Sequence, residues 1–115
     1  MVKFINVNGT LNLLEAASEA GVKKIVFASS AAVYGDSPLS PKLETMCPAP
    51  KSPYAITKLD GEHYLKMFHD EGKIQTTSLR VFNVFGPRQD PLGAYAAAIP
   101  IFIERALHGK NIAIF

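Results

Sequence analysis

An α/β fold built on an open parallel sheet is the architecture this 115-residue sequence predicts, and three observations predict it. Helix-like and strand-like stretches alternate in the order helix, strand, loop, helix, strand, loop, helix, strand. The first strand, Lys24 to Ser29, is nearly all apolar without strict alternation, which implies burial on both faces beneath helices. The chain leaves its strands at Ser29-Ser30 and at Asn83, at the carboxyl edge where sheets of this kind take their ligands.

Each element has its own signal. Val7, Leu11, Leu14 and Ala17 recur at helical spacing and predict a helix over about residues 6–20, with Asn12, Glu15 and Glu19 off the stripe. Asn6 or Asn8 is the candidate cap, and Gly21 fits the left-handed position past its end. Residues 30–53 carry Gly35, Pro38, Pro41, Pro48, Pro50 and Pro53, too many breakers for a regular element. A loop of that length is either functional or disordered. Ser52 and Pro53 read as N-cap and first residue of a second helix that runs to about Asp70, with Gly72 as its stop. Its stripe is predicted as Ile56, Leu59, His63 and Met67, flanked by Tyr64, Leu65 and Phe68. Gln75 to Asn83 reads as the next strand, Gly86 to Gly93 as a loop, and Pro100 to Gly109 as a third helix. Asn111 to Phe115 reads as a further short strand.

Composition removes several function classes. Twelve basic against ten acidic side chains give a net charge of +2, too little to argue for nucleic acid or a membrane surface. Apolar runs such as Lys24 to Ala28 fall far short of the ~20 residues needed to cross a bilayer. The first residues lack a signal-peptide pattern. Cys47 is the single cysteine, so disulfide and cysteine-metal frameworks are unavailable, and a cytoplasmic setting is expected. His63, His69 and His108 have no metal-ligand spacing, and His63 and His69 are expected on the outer face of the second helix.

The chemistry centres on Ser52-Pro53-Tyr54-Ala55-Ile56-Thr57-Lys58. Tyr54 and Lys58 stand four residues apart at a helix start, on one face of one turn. A free phenol titrates near ~10 and is a poor proton shuttle at neutral pH. An ammonium one turn away stabilises the phenolate, which makes the pair a candidate general acid/base. Ser30 can bridge a substrate hydroxyl to that phenolate, or with Ser29 it can satisfy backbone groups in a turn. Asn83 can bind a phosphate or ribose, or cap its loop. No glycine-x-serine-x-glycine elbow accompanies the serines, so a hydrolase is poorly supported.

Four ordered motifs now carry a resemblance: Val7-Asn8-Gly9-Thr10-Leu11-Asn12-Leu13-Leu14-Glu15-Ala16-Ala17, Phe27-Ala28-Ser29-Ser30-Ala31-Ala32-Val33-Tyr34-Gly35, Ser52 to Lys58, and Arg80-Val81-Phe82-Asn83-Val84-Phe85-Gly86-Pro87-Arg88. Together they resemble the extended short-chain dehydrogenase/reductase family, most of all its NAD-dependent nucleotide-sugar epimerases of the UDP-glucose and UDP-N-acetylglucosamine 4-epimerase group. The resemblance implies a portion of a doubly wound Rossmann-type parallel sheet. It implies Tyr54 as catalytic base, Lys58 as the residue that lowers its pKa and holds the nicotinamide ribose, and Ser30 as the third member of the relay. Ser29 and Phe82 would lie by the NAD cofactor. Asn83 would contact the diphosphate of a UDP-sugar substrate, with Ala97 and Ala98 as further nucleotide contacts. Dehydratases of the family place Asp-Glu directly after the catalytic hydroxyl residue, where this chain has Ala31 and Ala32, which favours epimerisation. Val81 replaces a tyrosine common in sugar epimerases, which loosens the expectation of substrate. A nucleotide-sugar reductase or dehydratase is the alternative within the family, and a non-catalytic α/β binding module is the alternative outside it.

No G-x-G-x-x-G or G-x-x-G-x-x-G loop occurs in the 115 residues, nor the acidic residue expected about 20 residues after it. The chain is therefore expected to be one central fragment of the dinucleotide-binding domain over 1–115, with 87–115 entering the substrate-binding region. The fragment alone is expected to be inactive. Relatives commonly dimerise through the Tyr-Lys helix, and on that reading Tyr64, Met67 and Phe68 would face a partner subunit.

Overall fold

The computed structural model of the chain describes residues 3–91, 93 and 98–112. They fall into two units, Met1–Phe82 and Asn83–Phe115. In the first, a five-residue π-helical turn over Phe4–Asn8 runs directly into α1 (Gly9–Glu19). Strand β1 (Lys24–Ala28) follows, then a 3-10 turn over Ala31–Tyr34, a long loop, α2 (Pro53–Asp70) and β2 (Gln75–Leu79). The two strands pair in parallel with Lys24 opposite Gln75 and Ala28 opposite Leu79, so β1, α2 and β2 form one crossover unit. The second unit holds α3 (Ala98–Leu107), which starts two residues before the expected Pro100. Asn111 and Ile112 are not in a strand, and the rest of the strand expected there lies outside the described residues.

Local chemistry accounts for the helix ends. Ser52 Oγ accepts the Ala55 N–H at 3.1 Å, and Pro53 fills the first helical position of α2, where its missing N–H costs nothing. All three α-helices stop on a glycine at positive φ: Gly21, Gly72 and Gly109. After each glycine the next N–H returns to the carbonyl five residues back, as in Val22 to Ala17 and Lys73 to Phe68, which satisfies carbonyls the helix leaves open. The start of α1 differs from expectation. Neither Asn6 nor Asn8 caps it, because both sit inside continuous helical turns, and Asn6 instead donates from Nδ2 to Thr57 Oγ1 of α2 at 3.0 Å.

Leu14 of α1, Leu65 and Phe68 of α2, and Ile74 before β2 form the buried core, with Leu11, Ala17, Ile25, Phe27 and Tyr64 packed around them. The buried face of α2 is therefore Gly61, Leu65 and Phe68, whereas Ile56 and Met67 of the expected stripe are exposed. Of the three residues that the resemblance implied would face a partner, Phe68 lies in the core, Tyr64 is half-buried beside it and Met67 is exposed. His63 and His69 are exposed, as expected. Strand β1 does not have the double burial expected of it. Ile25 and Phe27 turn toward the helices, while Lys24, Val26 and Ala28 are exposed, because α1 and α2 cover one face only.

Helix α2 comes unusually close to the sheet at Gly61. A Cβ there would sit 2.5 Å from Phe27 Cζ. Gly61→Ala gains about 0.5–1 kcal/mol of helix propensity but forces the ring aside, and overpacking costs about 1–3 kcal/mol. A net loss of stability, seen as a lower Tm in calorimetry, is expected. The matched change Gly9→Ala, in a helix with no heavy atom within 4 Å of the new methyl, raises Tm. The same sign for both variants would contradict the close approach.

Candidate active site at the carboxyl edge

Both strands end alike. The Ser29 N–H donates back to the Phe27 carbonyl at 3.1 Å and the Val81 N–H to the Leu79 carbonyl at 3.0 Å, turning the chain out of the sheet after residues 28 and 79. For β2 this is four residues earlier than expected. The two exits stay tied, since the Ala31 N–H donates to the Val81 carbonyl at 2.9 Å. Ser30 is extended, and its Oγ accepts the Ala32 N–H at 3.2 Å, capping the 3-10 turn that the loop's proline content concealed. Gly35 ends that turn at φ 61°, with so little room that a Cβ would lie 2.1 Å from the Ala49 carbonyl oxygen. The Ala49 N–H in turn donates to the Val33 carbonyl at 2.9 Å, folding the long loop back over the buried Val33 and Tyr34.

Tyr54 occupies the first turn of α2 and is 45% exposed, so its hydroxyl is open to a ligand. Lys58, one turn on, places Nζ 5.8 Å from the Tyr54 ring centre and 5.0 Å from that of Phe27. Its ammonium donates to the Ala28 carbonyl at 2.8 Å, which holds it at the end of β1 and uses one of its three N–H groups. Thr57, buried between the two, donates to the Tyr54 carbonyl at 2.8 Å and accepts from Asn6. Ser30, Tyr54, Lys58 and the exposed ring of Phe82 thus all belong to the edge where β1 and β2 end. Asn83 opens the second unit and is exposed, Ala98 is the first residue of α3, and Ala97 lies outside the described residues.

Ser29 has a different environment from its neighbour. It is 2% exposed, and its hydroxyl donates to Glu62 Oε1 at 2.5 Å. Glu62 also receives the Arg80 fork, Nε at 3.0 Å on Oε1 and Nη2 at 2.7 Å on Oε2. The Arg80 guanidinium lies 4.9 Å from the centre of the Tyr34 ring. Burial pushes the Glu62 carboxyl up, but hydrogen bonds from Arg80 and Ser29, with the nearby charge of Arg80, outweigh it and hold the carboxyl below its ordinary range. Arg80 is driven the other way, chiefly by its bond to Glu62. An open cavity of about 550 Å³ adjoins this group, lined by Tyr34, Lys42, Glu62, Arg80 and Phe82 among others. Sequence reasoning missed Glu62, Arg80 and Tyr34. The one available signal was that Glu62 follows Lys58 by four residues. Among the described residues no cluster of His, Cys, Asp or Glu is placed to hold a metal, and no helix is long and apolar enough to cross a membrane.

A parallel βαβ unit with a Tyr-Lys pair at its carboxyl edge defines a Rossmann-type fold. The chain belongs to the NAD dependent epimerase/dehydratase family, whose pattern it matches over residues 2–115. It is 45% identical over 112 residues to the UDP-glucose 4-epimerase of Mycolicibacterium smegmatis, covering 96% of this chain and 36% of that one. Among solved structures it resembles the UDP-N-acetylglucosamine 4-epimerase of Methanobrevibacter ruminantium in complex with UDP-N-acetylmuramic acid, with TM-score 0.89 and 44% identity, covering 97% of this chain and 36% of that one. It also resembles the Thermus thermophilus UDP-glucose 4-epimerase in complex with NAD, with TM-score 0.80 and 47% identity over 94% of this chain and 35% of that one. The chain spans about a third of the length of these relatives.

The donor set fits one end of NAD. An ammonium with two uncommitted N–H groups and an exposed aromatic ring suit a ribose and a nicotinamide, whereas the 115 residues contain no glycine-rich loop for the pyrophosphate.

The ion pair yields a pH prediction. Glu62 has a folded pKa below its ordinary 4.5, so its stabilisation is full above that value and disappears as pH falls through the depressed one. Side-chain exposures of 17% for Arg80 and 11% for Glu62 mean that Arg80→Met strands a largely buried carboxylate, at a cost of about 3 kcal/mol near neutrality. Urea midpoints measured against pH are expected to fall less steeply on acidification for Arg80→Met than for the parent chain. Parallel acid limbs would contradict the pairing.

Proposed function

We propose that this chain supplies the proton relay of an NAD-dependent nucleotide-sugar 4-epimerase acting on a UDP-sugar. The observation that carries this reading is the Tyr54-Lys58 pair at the carboxyl edge, its ammonium held on the Ala28 carbonyl beside Ser30. Tyr54 takes the proton of the sugar 4-hydroxyl and later returns it. Lys58 favours the phenolate by its charge and donates its remaining N–H groups to the nicotinamide ribose. Ser30 donates to or accepts from the same sugar oxygen, shortening the path of the proton. Bound NAD would supply a hydride acceptor at the sugar carbon, and return of the hydride to the opposite face of the rotated keto sugar would invert that centre. Phe82 and Ser29 line the cofactor side, Ser29 through its main chain because its hydroxyl is committed to Glu62. Nucleotide contacts from Asn83, Ala97 and Ala98 are carried over from the family resemblance of the sequence alone.

Epimerisation is preferred over dehydration on a local ground. Relatives include a mouse dTDP-D-glucose 4,6-dehydratase at 35% identity, yet Ala31 and Ala32, directly after Ser30, have no group that can move a proton at a neighbouring carbon. Elimination of water then has neither acid nor base from that turn.

A chimera tests the reading: the full-length Thermus thermophilus epimerase with its matched segment replaced by this chain. Interconversion of UDP-glucose and UDP-galactose is expected, with Tyr54→Phe lowering kcat by about 10²- to 10⁴-fold. Full activity of Tyr54→Phe would refute the base. The 115-residue chain alone is expected to give no turnover and, in calorimetric titration, NAD affinity too weak to saturate, for want of a pyrophosphate site. Turnover by the bare chain would overturn that part.

A further inference from the structure

We infer that Glu62 and Arg80 are positioning residues for the relay, a clamp that fixes the Ser29-Ser30 turn against the helix carrying Tyr54 and Lys58. The inference rests on the reading of Tyr54 as the base.

Tyr54, Lys58 and Glu62 follow one another at intervals of four on α2, and therefore share a face. The second and third both grip the end of β1. Lys58 Nζ donates to the Ala28 carbonyl at 2.8 Å, and Glu62 Oε1 accepts from Ser29 Oγ at 2.5 Å. The two anchors are about 6 Å apart along the helix axis. A single anchor would leave α2 free to roll about its contact. Two on one face set both its rotation and its axial position, and hence where the Tyr54 hydroxyl stands.

Ser30 is bounded on one side by this carboxylate and on the other by the arginine that the carboxylate binds. On its N-terminal side, Ser29 spends its one donor on Glu62 and is 2% exposed, so the backbone entering Ser30 is held. On its C-terminal side, the 3-10 turn that Ser30 caps ends in Tyr34, whose buried ring lies 4.9 Å from the guanidinium that Glu62 binds. Arg80 stands one residue past β2, so its fork also fixes the second strand exit, where Val81 bonds to Ala31. A carboxylate fits this position because it offers two equivalent oxygens to three donors, Ser29 Oγ and Arg80 Nε and Nη2. An amide would offer one. Buried ion pairs are weak sources of stability compared with apolar residues of equal volume, and a pair set at the helical repeat of the base contributes orientation that an apolar pair could not.

The experiment uses the full-length chimera with Glu62→Gln, Glu62→Asp and Ser29→Ala, measuring kcat, KM and the folded fraction at assay temperature for each. Glu62→Gln is expected to lower kcat by up to about 10²-fold with KM nearly unchanged, since substrate binding lies elsewhere. Glu62→Asp is expected to recover part of that loss, and Ser29→Ala, which keeps the ion pair, to lower kcat at full folded fraction. Ser29→Ala carries the test alone if Glu62→Gln does not fold. A kcat that drops only in step with the folded fraction, or a rise in KM at constant kcat, would overturn the clamp. The parent reading is judged separately: an inactive Tyr54→Phe beside fully active Glu62→Gln and Ser29→Ala refutes the clamp alone, and an active Tyr54→Phe refutes the base.

Discussion

The close approach of α2 to β1 is the constraint on which the rest of the first unit depends. At Gly61 the helix backbone lies so near the Phe27 ring that an added Cβ would stand 2.5 Å from Cζ. That contact lowers the helix onto the sheet and brings Leu65 and Phe68 against Ile25 and Ile74. It also sets the height at which Lys58, one turn earlier, passes over the same ring and reaches the Ala28 carbonyl. The core and the candidate site share this contact, since a bulkier residue at 61 would displace the ring that lies beneath both.

Polar groups then convert proximity into orientation. The first turns of α2 carry three side chains with partners outside the helix: Thr57 with Asn6, Lys58 with the Ala28 carbonyl, and Glu62 with Ser29 and Arg80. Tyr54 is the exception on this face, exposed and therefore free to meet a ligand. With α2 anchored at Thr57, Lys58 and Glu62, Tyr54 in its first turn is presented with little freedom, as the proposed proton transfer requires. The π-helical turn before α1 fits the same pattern, since it lets Asn6 reach α2.

Much of this was legible in the sequence. The Ser52-Pro53 start and the glycine stops of α1 and α2 were readable because capping is local chemistry, and the Tyr54-Lys58 face follows from helical spacing alone. The inner face of α2 was not. The expected stripe followed hydrophobic spacing through Ile56 and Met67, whereas burial went to Ala55, Thr57, Gly61, Leu65 and Phe68, some of which owe it to small size or to a partner distant in sequence. The Glu62-Arg80 pair joins residues 18 apart, and nothing local distinguishes it from two solvated charges. Strand β1 looked doubly buried because its composition suits a sheet covered on both faces, while the described residues cover only one. Family membership came from ordered motifs, and these define chemistry at the edge rather than packing beneath it.

On the proposed function, α2 is held so that Tyr54, Lys58 and Ser30 converge on one sugar hydroxyl. A crystal structure of the chimera with NAD and a UDP-sugar bound tests it most directly. The Tyr54 hydroxyl and Ser30 Oγ are both expected within about 2.6–3.2 Å of the sugar 4-oxygen, with Lys58 bridging the Ala28 carbonyl and the nicotinamide ribose. A Tyr54 side chain turned away from the sugar, with another group of this chain in its place, would contradict it.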